Sequence, residues 1–321
     1  MPPAGNLLQP LHRRAEGGRN RSRPQDPRRP GRQRRRRVLS AGRDSLRGLG
    51  GPGAGQLTEP QALGPRHKRV AELRRLVRRR SPGDARVVLE GARTLSEALA
   101  AGIKPALVVV SESAEQAPAA RDALQRLDSG TEVLTLTERA FDSVAPAVSP
   151  QPVLALVARP TVELPGSLSP DDLVLVLAGV ADPGNAGTII RAAGACAARC
   201  VVLVGGADPW APKTVRASAG SVLRVPVVQA ADAPAVLEAL QAAGATIVAA
   251  DPHDGERHDS GVLAALQGPV ALVLGSESHG LDPSLRELAD YRVRIPMAGD
   301  TESLNVAMAA TLLAFEYRRQ S

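Results

Sequence analysis

Six short apolar runs constrain this chain more than any other feature. They fall at 173–177, 201–204, 225–228, 246–250, 270–274 and 291–295. Most are rich in Val, Leu and Ala with no charge inside them, and helical segments separate them. Such strands are buried on both faces, as in a parallel sheet covered by helices on each side. The fold class is therefore α/β, and a nucleotide-like ligand is expected at the C-terminal ends of the strands. No G-x-G-x-x-G follows the first run, which argues against a standard dinucleotide fold. The glycine-bearing joints come late, at Gly275 and Gly299.

Three stretches stand at strand-to-helix joints. In the last, 294–310, Pro296 ends a strand because it has no N–H to give. A loop over 297–302 follows, Ser303 stands where a helix N-cap is expected, and a helix runs over 303–318. A helix N-terminus facing a loop with free backbone N–H groups suits small polar or anionic ligands. The first stretch, 178–193, places Asn185 in the loop after Pro183 and Gly184. Arg191 follows on a helix, six residues on and nearly two turns away, so both are expected near the same side. Arg191 is a lone charge among Ile189, Ile190, Ala192 and Ala193, which also suits a buried arginine paired with a carboxylate. In the second stretch, 270–281, Gly275 permits close backbone approach and Glu277 stands ready to orient Asn185 or Arg191. His279 is read as a loop residue.

Together and in this order, the three stretches resemble the motifs of the SpoU (TrmH) family of RNA ribose 2′-O-methyltransferases, in the SPOUT class. The resemblance runs over roughly 63–319. It implies a trefoil-knotted methyltransferase domain over 172–321, which periodicity alone does not give, since knots are very rare. It implies S-adenosyl-L-methionine as cofactor, held by Leu274, Gly275, Ile295, Met297, Ser303 and Leu304, and no metal. It implies catalytic roles for Asn185, Arg191, Glu277, Ser303 and Asn305. Ser303 as an N-cap and Asn305 as a polar helix surface are the plain alternatives. An arginine is a poor base, its pKa lying above about 12. Arg191 is therefore read as binding phosphate and stabilising developing alkoxide charge. The resemblance favours 23S ribosomal RNA as substrate. Transfer RNA is the alternative within the class, and a non-catalytic RNA-binding or ribosome-assembly factor is the alternative outside it. It also implies a homodimer, built by the final helix and by the small residues Ala192, Ala193, Cys196 and Ala197.

The first half reads as a smaller α/β/α unit over 63–158, followed by a Pro- and Ser-bearing linker over 159–171. Its runs alternate as helix 65–81, strand 86–90, helix 92–101, strand 107–110, helix 118–127, strand 133–136, helix 138–144 and strand 153–157. At 88–93 and 152–155 it resembles the ribosomal-protein-like substrate-binding domain that precedes the catalytic domain in this family. The first helix carries Val70, Leu73 and Val77 at helical spacing, with Arg74, Arg75, Arg78 and Arg79 on its other faces. Those arginines are either a solvated face or RNA contacts. The same two readings hold for Lys213, Arg216 and Ser218.

The net charge of +7 is unevenly spread. Residues 1–57 hold 14 arginines against Glu16, Asp26 and Asp44, leaving 26 basic and 30 acidic residues in the rest. That tail is rich in Arg, Pro and Gly and poor in apolar residues, so it is expected to be disordered. It reads as a phosphate-gripping tail through Arg34–Arg37, as a transit peptide, or as an over-extended reading frame. The whole chain has five aromatic residues, too few for base stacking on an aromatic sheet. Cys196 and Cys200, four apart on an expected helix face, read as small buried residues. So few cysteines fit a reducing, cytoplasmic setting. No run of about 18 apolar residues is present, so no transmembrane helix is expected.

Overall fold

The computed structural model describes residues 62–78, 84–147, 149–299 and 303–319. The readings made for 1–57 and for Arg79 lie outside these residues. The smaller sheet is built from α1 (Lys68–Arg78), β1 (Arg86–Glu90), α2 (Ala92–Ala100), β2 (Pro105–Ser111), α3 (Pro118–Gln125), β3 (Glu132–Leu136), α4 (Glu138–Val144) and β4 (Val153–Ala158). Its strand order is β1-β4-β2-β3, with β4 antiparallel to β1 and β2 and with β3 parallel to β2. Alternate residues point to opposite faces of a strand. Val88, Val109, Leu154 and Leu156 thus meet Val70, Leu73 and Val77 of α1 and Phe141 of α4. Val87, Leu89, Val108 and Val110 meet Leu95 of α2 and Ala120 of α3 on the other side.

Part of the basic face of α1 is structural. Arg74 donates from Nε to Ser143 O at 3.2 Å and from Nη2 to Ser143 Oγ at 2.6 Å, tying α1 to α4. Arg69 pairs with Glu132. Arg75 is exposed.

The larger sheet follows, with β5 (Leu173–Ala178), α5 (Pro183–Ala195), β6 (Cys200–Val204), α6 (Pro212–Ala217), β7 (Val227–Ala230), α7 (Ala233–Ala242), β8 (Thr246–Ala250), β9 (Glu256–Arg257), α8 (Val262–Ala265), β10 (Val270–Leu274), α9 (Pro283–Glu287), β11 (Tyr291–Arg294) and α10 (Val306–Arg318). The order is β7-β6-β5-β10-β8-β11-β9, and every pairing is parallel. Leu173, Leu175 and Leu177 face Ile189, Ile190 and Ala193 of α5 and Leu313 of α10. Val174 and Val176 face Leu237 and Leu240 of α7 and Leu285 of α9. Each such fully buried aliphatic side chain contributes about 1.5–3 kcal/mol.

Arg318 secures the end of the chain. Its guanidinium donates to Cys196 O at 2.7 Å, Ala197 O at 3.0 Å and Asp171 O at 2.7 Å. The carbonyls of Cys196 and Ala197, at the C-terminal end of α5, are thereby satisfied by a positive charge, which also suits the helix dipole.

Four sequence readings are corrected. The strand read at 225–228 runs over Val227–Ala230 instead. The Val225 N–H is spent on Ser221 O, four residues back, closing the turn before the strand, and Pro226 has no N–H to offer. Helix α5 begins at Pro183 with Asp182 as its cap, so Asn185 sits in the first helical turn and not in a loop. The cap of α10 is Asn305, not Ser303, because Asn305 Oδ1 accepts from the N–H of Ala307 and of Met308. Cys196 caps α5 while Cys200 opens β6, so they lie in cores on opposite faces of the sheet. Both thiols are buried and free, and burial pushes Cys200 up to about 12.

Candidate active site

All strands of the larger sheet run the same way, so the loops leaving β5, β8, β10 and β11 emerge at one edge. There a cleft of about 530 Å³ opens, within the roughly 300–1,000 Å³ usual for small-molecule sites. Leu274 and Gly275, Ile295 and Met297, and Ser303 and Leu304 all line it. Glu277 and Asn305 border the same cleft.

The loop after β10 is drawn tight. Ser276 N donates to Gly280 O at 2.9 Å, and Gly280 N returns a bond to Ser276 O at 3.0 Å. Gly275 lies directly beneath this closure. A Cβ there would stand 2.1 Å from the Gly280 carbonyl carbon, so only glycine fits without moving backbone. His279 is exposed, with Nδ1 2.7 Å from Ser278 Oγ.

One hydrogen-bond relay ties the three sequence motifs together. Glu277 accepts from Ala181 N at 3.1 Å, Asp182 N at 3.2 Å and Asn185 Nδ2 at 2.8 Å. Asn185 Oδ1 accepts from Asn305 Nδ2 at 2.9 Å. Asn305 Oδ1 in turn caps α10. The donors and acceptors fix both amide orientations, since only Nδ2 of Asn185 has a hydrogen to give Glu277. Burial works against the Glu277 charge, but the bonds from Asn185, Ala181 and Asp182 prevail and hold its carboxyl below the usual range. Asp182 is likewise lowered, first by Lys213 Nζ at 2.9 Å and then by the Asn185 N–H it caps.

Arg191 is not part of this relay and does not line the cleft. It stands on the outer face of α5 with Thr188 and Ala195, all exposed. No hydrogen bond or ion pair joins it to another described residue, so it is not a buried arginine matched to a carboxylate. Six residues of helix turn it about 120° from Asn185, which corrects the expectation that both share one side. The other basic candidates are engaged. Lys213 pairs with Asp182, and Arg216 pairs at 3.2 Å with Glu90 of the smaller sheet. Ser218 is buried and donates to Val215 O. Of the four small residues read as an interface, Ala192, Ala193 and Cys196 are buried within the chain, beneath elements that include α10, and only Ala197 is exposed, so the four do not form an open face.

Asp251, His253 and Arg286 line the cleft although sequence reading passed over them. The available signal was an acid placed immediately after an apolar strand at its C-terminal end. Among the described residues, no group of three or more His, Cys, Asp or Glu is arranged to hold a metal, and no helix is long and apolar enough to cross a membrane.

Comparison with known proteins follows the same division of the chain. A model described as the SpoU rRNA Methylase family matches residues 172–315, and one described as an MRM3-like substrate binding domain matches 65–155. The chain is 36% identical over 199 residues to a 23S rRNA (guanosine-2′-O-)-methyltransferase, RlmB, of Xylella fastidiosa, spanning 60% of this chain and 79% of that protein. It belongs to the SpoU methylase family. It is also 30% identical to the 23S rRNA (guanosine(2553)-2′-O)-methyltransferase RlmP of Bacillus subtilis, over 60% of this chain and 75% of that one. Among solved structures it is similar to the SpoU methyltransferase AviRb of Streptomyces viridochromogenes in complex with AdoMet. There the TM-score is 0.69 at 29% identity, covering 79% of this chain and 98% of that one. Within this SpoU chain, then, the three motifs read from sequence are the three segments joined by the relay.

Proposed function

We propose that the chain transfers a methyl group from S-adenosyl-L-methionine to a ribose 2′-hydroxyl of 23S ribosomal RNA. The observation that carries this reading is the Glu277–Asn185–Asn305 relay, which fastens all three motif loops at the mouth of one cleft. The cleft fits the cofactor in size. Its lining mixes apolar side chains with loop backbone around a glycine that admits no Cβ. Leu274, Gly275, Ile295, Met297, Ser303 and Leu304 would hold the adenosyl part, chiefly through backbone groups. The bound cofactor supplies an electrophilic methyl on its sulfonium. Asn185 and Glu277 set the loop geometry, and Asn305 holds α10 to it. Arg191 binds substrate phosphate and stabilises charge developing on the attacking oxygen. Residues 63–158 are read as the RNA-binding unit, 159–171 as the linker and 172–321 as the knotted methyl-transfer unit, in a cytoplasmic protein. Insertion of β10 between β5 and β8, and return of the last helix to α5, support the knotted reading.

Asn305→Asp separates the two duties of that side chain. A carboxylate caps a helix as well as an amide does, so the melting temperature should stay within about 2 °C. The donor to Asn185 Oδ1 is lost and two oxygens are brought together, so methyl transfer should fall by roughly tenfold or more. Unchanged transfer to 23S RNA would remove the relay from the catalytic account.

A second copy of this chain is the proposed partner. Met308, Leu312 and Phe315 form an exposed apolar stripe on α10, 61%, 37% and 46% exposed respectively. Such a stripe is self-complementary about a two-fold axis. It lies beside α5, whose outer face carries Arg191, exposed and joined to no other described residue, so the same axis would bring Arg191 to the partner's cleft. Leu312→Glu should yield monomers in sedimentation at micromolar protein. A variant that remains dimeric would place the interface elsewhere.

A further inference from the structure

We infer that Asp251 is a specificity-determining residue of the cleft, its Oδ2 accepting a hydrogen bond from a ribose hydroxyl of the bound cofactor. This rests on the adenosyl reading of the cleft and deepens it. Asp251 stands immediately after β8, and its side chain is only 2% exposed. Oδ1 is committed. It accepts from His253 N at 2.9 Å and Asp254 N at 3.2 Å, which shapes the turn that leaves the strand. Oδ2 is different. Among the described residues no donor hydrogen-bonds it. Arg286 Nε lies 3.3 Å away, close enough for an ion pair, but donates its hydrogen to Leu281 O at 3.1 Å.

A buried carboxylate oxygen without a donor is costly unless something supplies one. Here the neighbouring guanidinium offsets the charge and leaves the lone pairs free. The residue lines the same cleft as Gly275 and Ile295, at the strand-end edge where open α/β sheets bind nucleotides. A neutral hydroxyl suits this acceptor better than a cation does, because Arg286 already balances the negative charge and would repel an ammonium. In the adenosyl group the neutral hydroxyl donors are the 2′- and 3′-hydroxyls of the ribose. An acidic side chain beyond a strand end reads such hydroxyls in other nucleotide-binding sheets.

The test is calorimetric titration of the full chain with S-adenosylhomocysteine and with its 2′-deoxy and 3′-deoxy counterparts. Wild type should bind one of the deoxy compounds about tenfold or more weaker than the parent, the loss expected for a hydrogen bond to a charged group. In Asp251→Asn the bonds from His253 and Asp254 hold the carbonyl oxygen in place, so an NH₂ replaces Oδ2. That variant should bind the parent about tenfold weaker and no longer distinguish it from the same deoxy compound. A purely structural role would lower the melting temperature yet leave the discrimination intact. Wild type that binds all three compounds equally overturns the inference whatever the variant does. Wild type that binds none of them overturns the cofactor reading itself.

Discussion

Gly275→Ala is expected to abolish cofactor binding, weakening it by about 100-fold or more, and to lower the melting temperature by several degrees. A methyl group at this position would stand 2.1 Å from the carbonyl carbon and 2.2 Å from the oxygen of Gly280. Both are backbone atoms, so no side-chain rotation relieves the contact. Overpacking of this kind costs about 1–3 kcal/mol through forced backbone shifts. The shift would open the Ser276–Gly280 closure and displace Glu277, and with it the relay to Asn185. Gly166→Ala is the control, since a Cβ there meets nothing within 4 Å. Calorimetry with S-adenosylmethionine and thermal unfolding read both effects. An alanine variant that binds within threefold of wild type would show that the tight loop does not shape the cleft.

Arg191→Ala is expected to reduce methyl transfer by about 10²–10³-fold, the scale of removing one donor to developing oxyanion charge. Stability should change by no more than about 0.5 kcal/mol, because the side chain is exposed and pairs with nothing described. Cofactor affinity should stay within a few-fold, because Arg191 does not line the cleft of its own chain. Arg191→Lys keeps the charge without the planar fork and should recover only part of the rate. If each site is shared across a dimer, mixing Arg191→Ala with Gly275→Ala protomers restores activity to one of the two sites. Loss of cofactor affinity as large as the loss of rate would place Arg191 inside the pocket instead.

The strands and core were legible because hydrophobic burial leaves an unbroken apolar run in the sequence. Runs such as 246–250 and 270–274 coincide with β8 and β10. Where backbone bonding decides, the sequence reads less well. The edge of β7 moved by two residues because Pro226 has no N–H and Val225 had another partner for its own. Strand β9, two exposed residues long, carries no apolar signal at all. At the site, the motif spacing located Asn185, Glu277 and Asn305, the residues of the relay, but gave the cap of the last helix to Ser303 instead of Asn305. Ser303 and Asn305 are both plausible caps, and only the positions of the Ala307 and Met308 N–H groups choose between them. Asp251 was missed because its meaning lies in what its second oxygen lacks, which is a matter of three-dimensional contacts.

The most direct measurement is transfer of labelled methyl from S-adenosylmethionine to unmodified 23S RNA by the purified chain, followed by mapping of 2′-O-methyl positions. The expected result is one methyl at one ribose, absent without enzyme and strongly reduced in Arg191→Ala. Cofactor that binds but transfers no methyl to ribosomal RNA, or a methyl found on a base, would contradict the account.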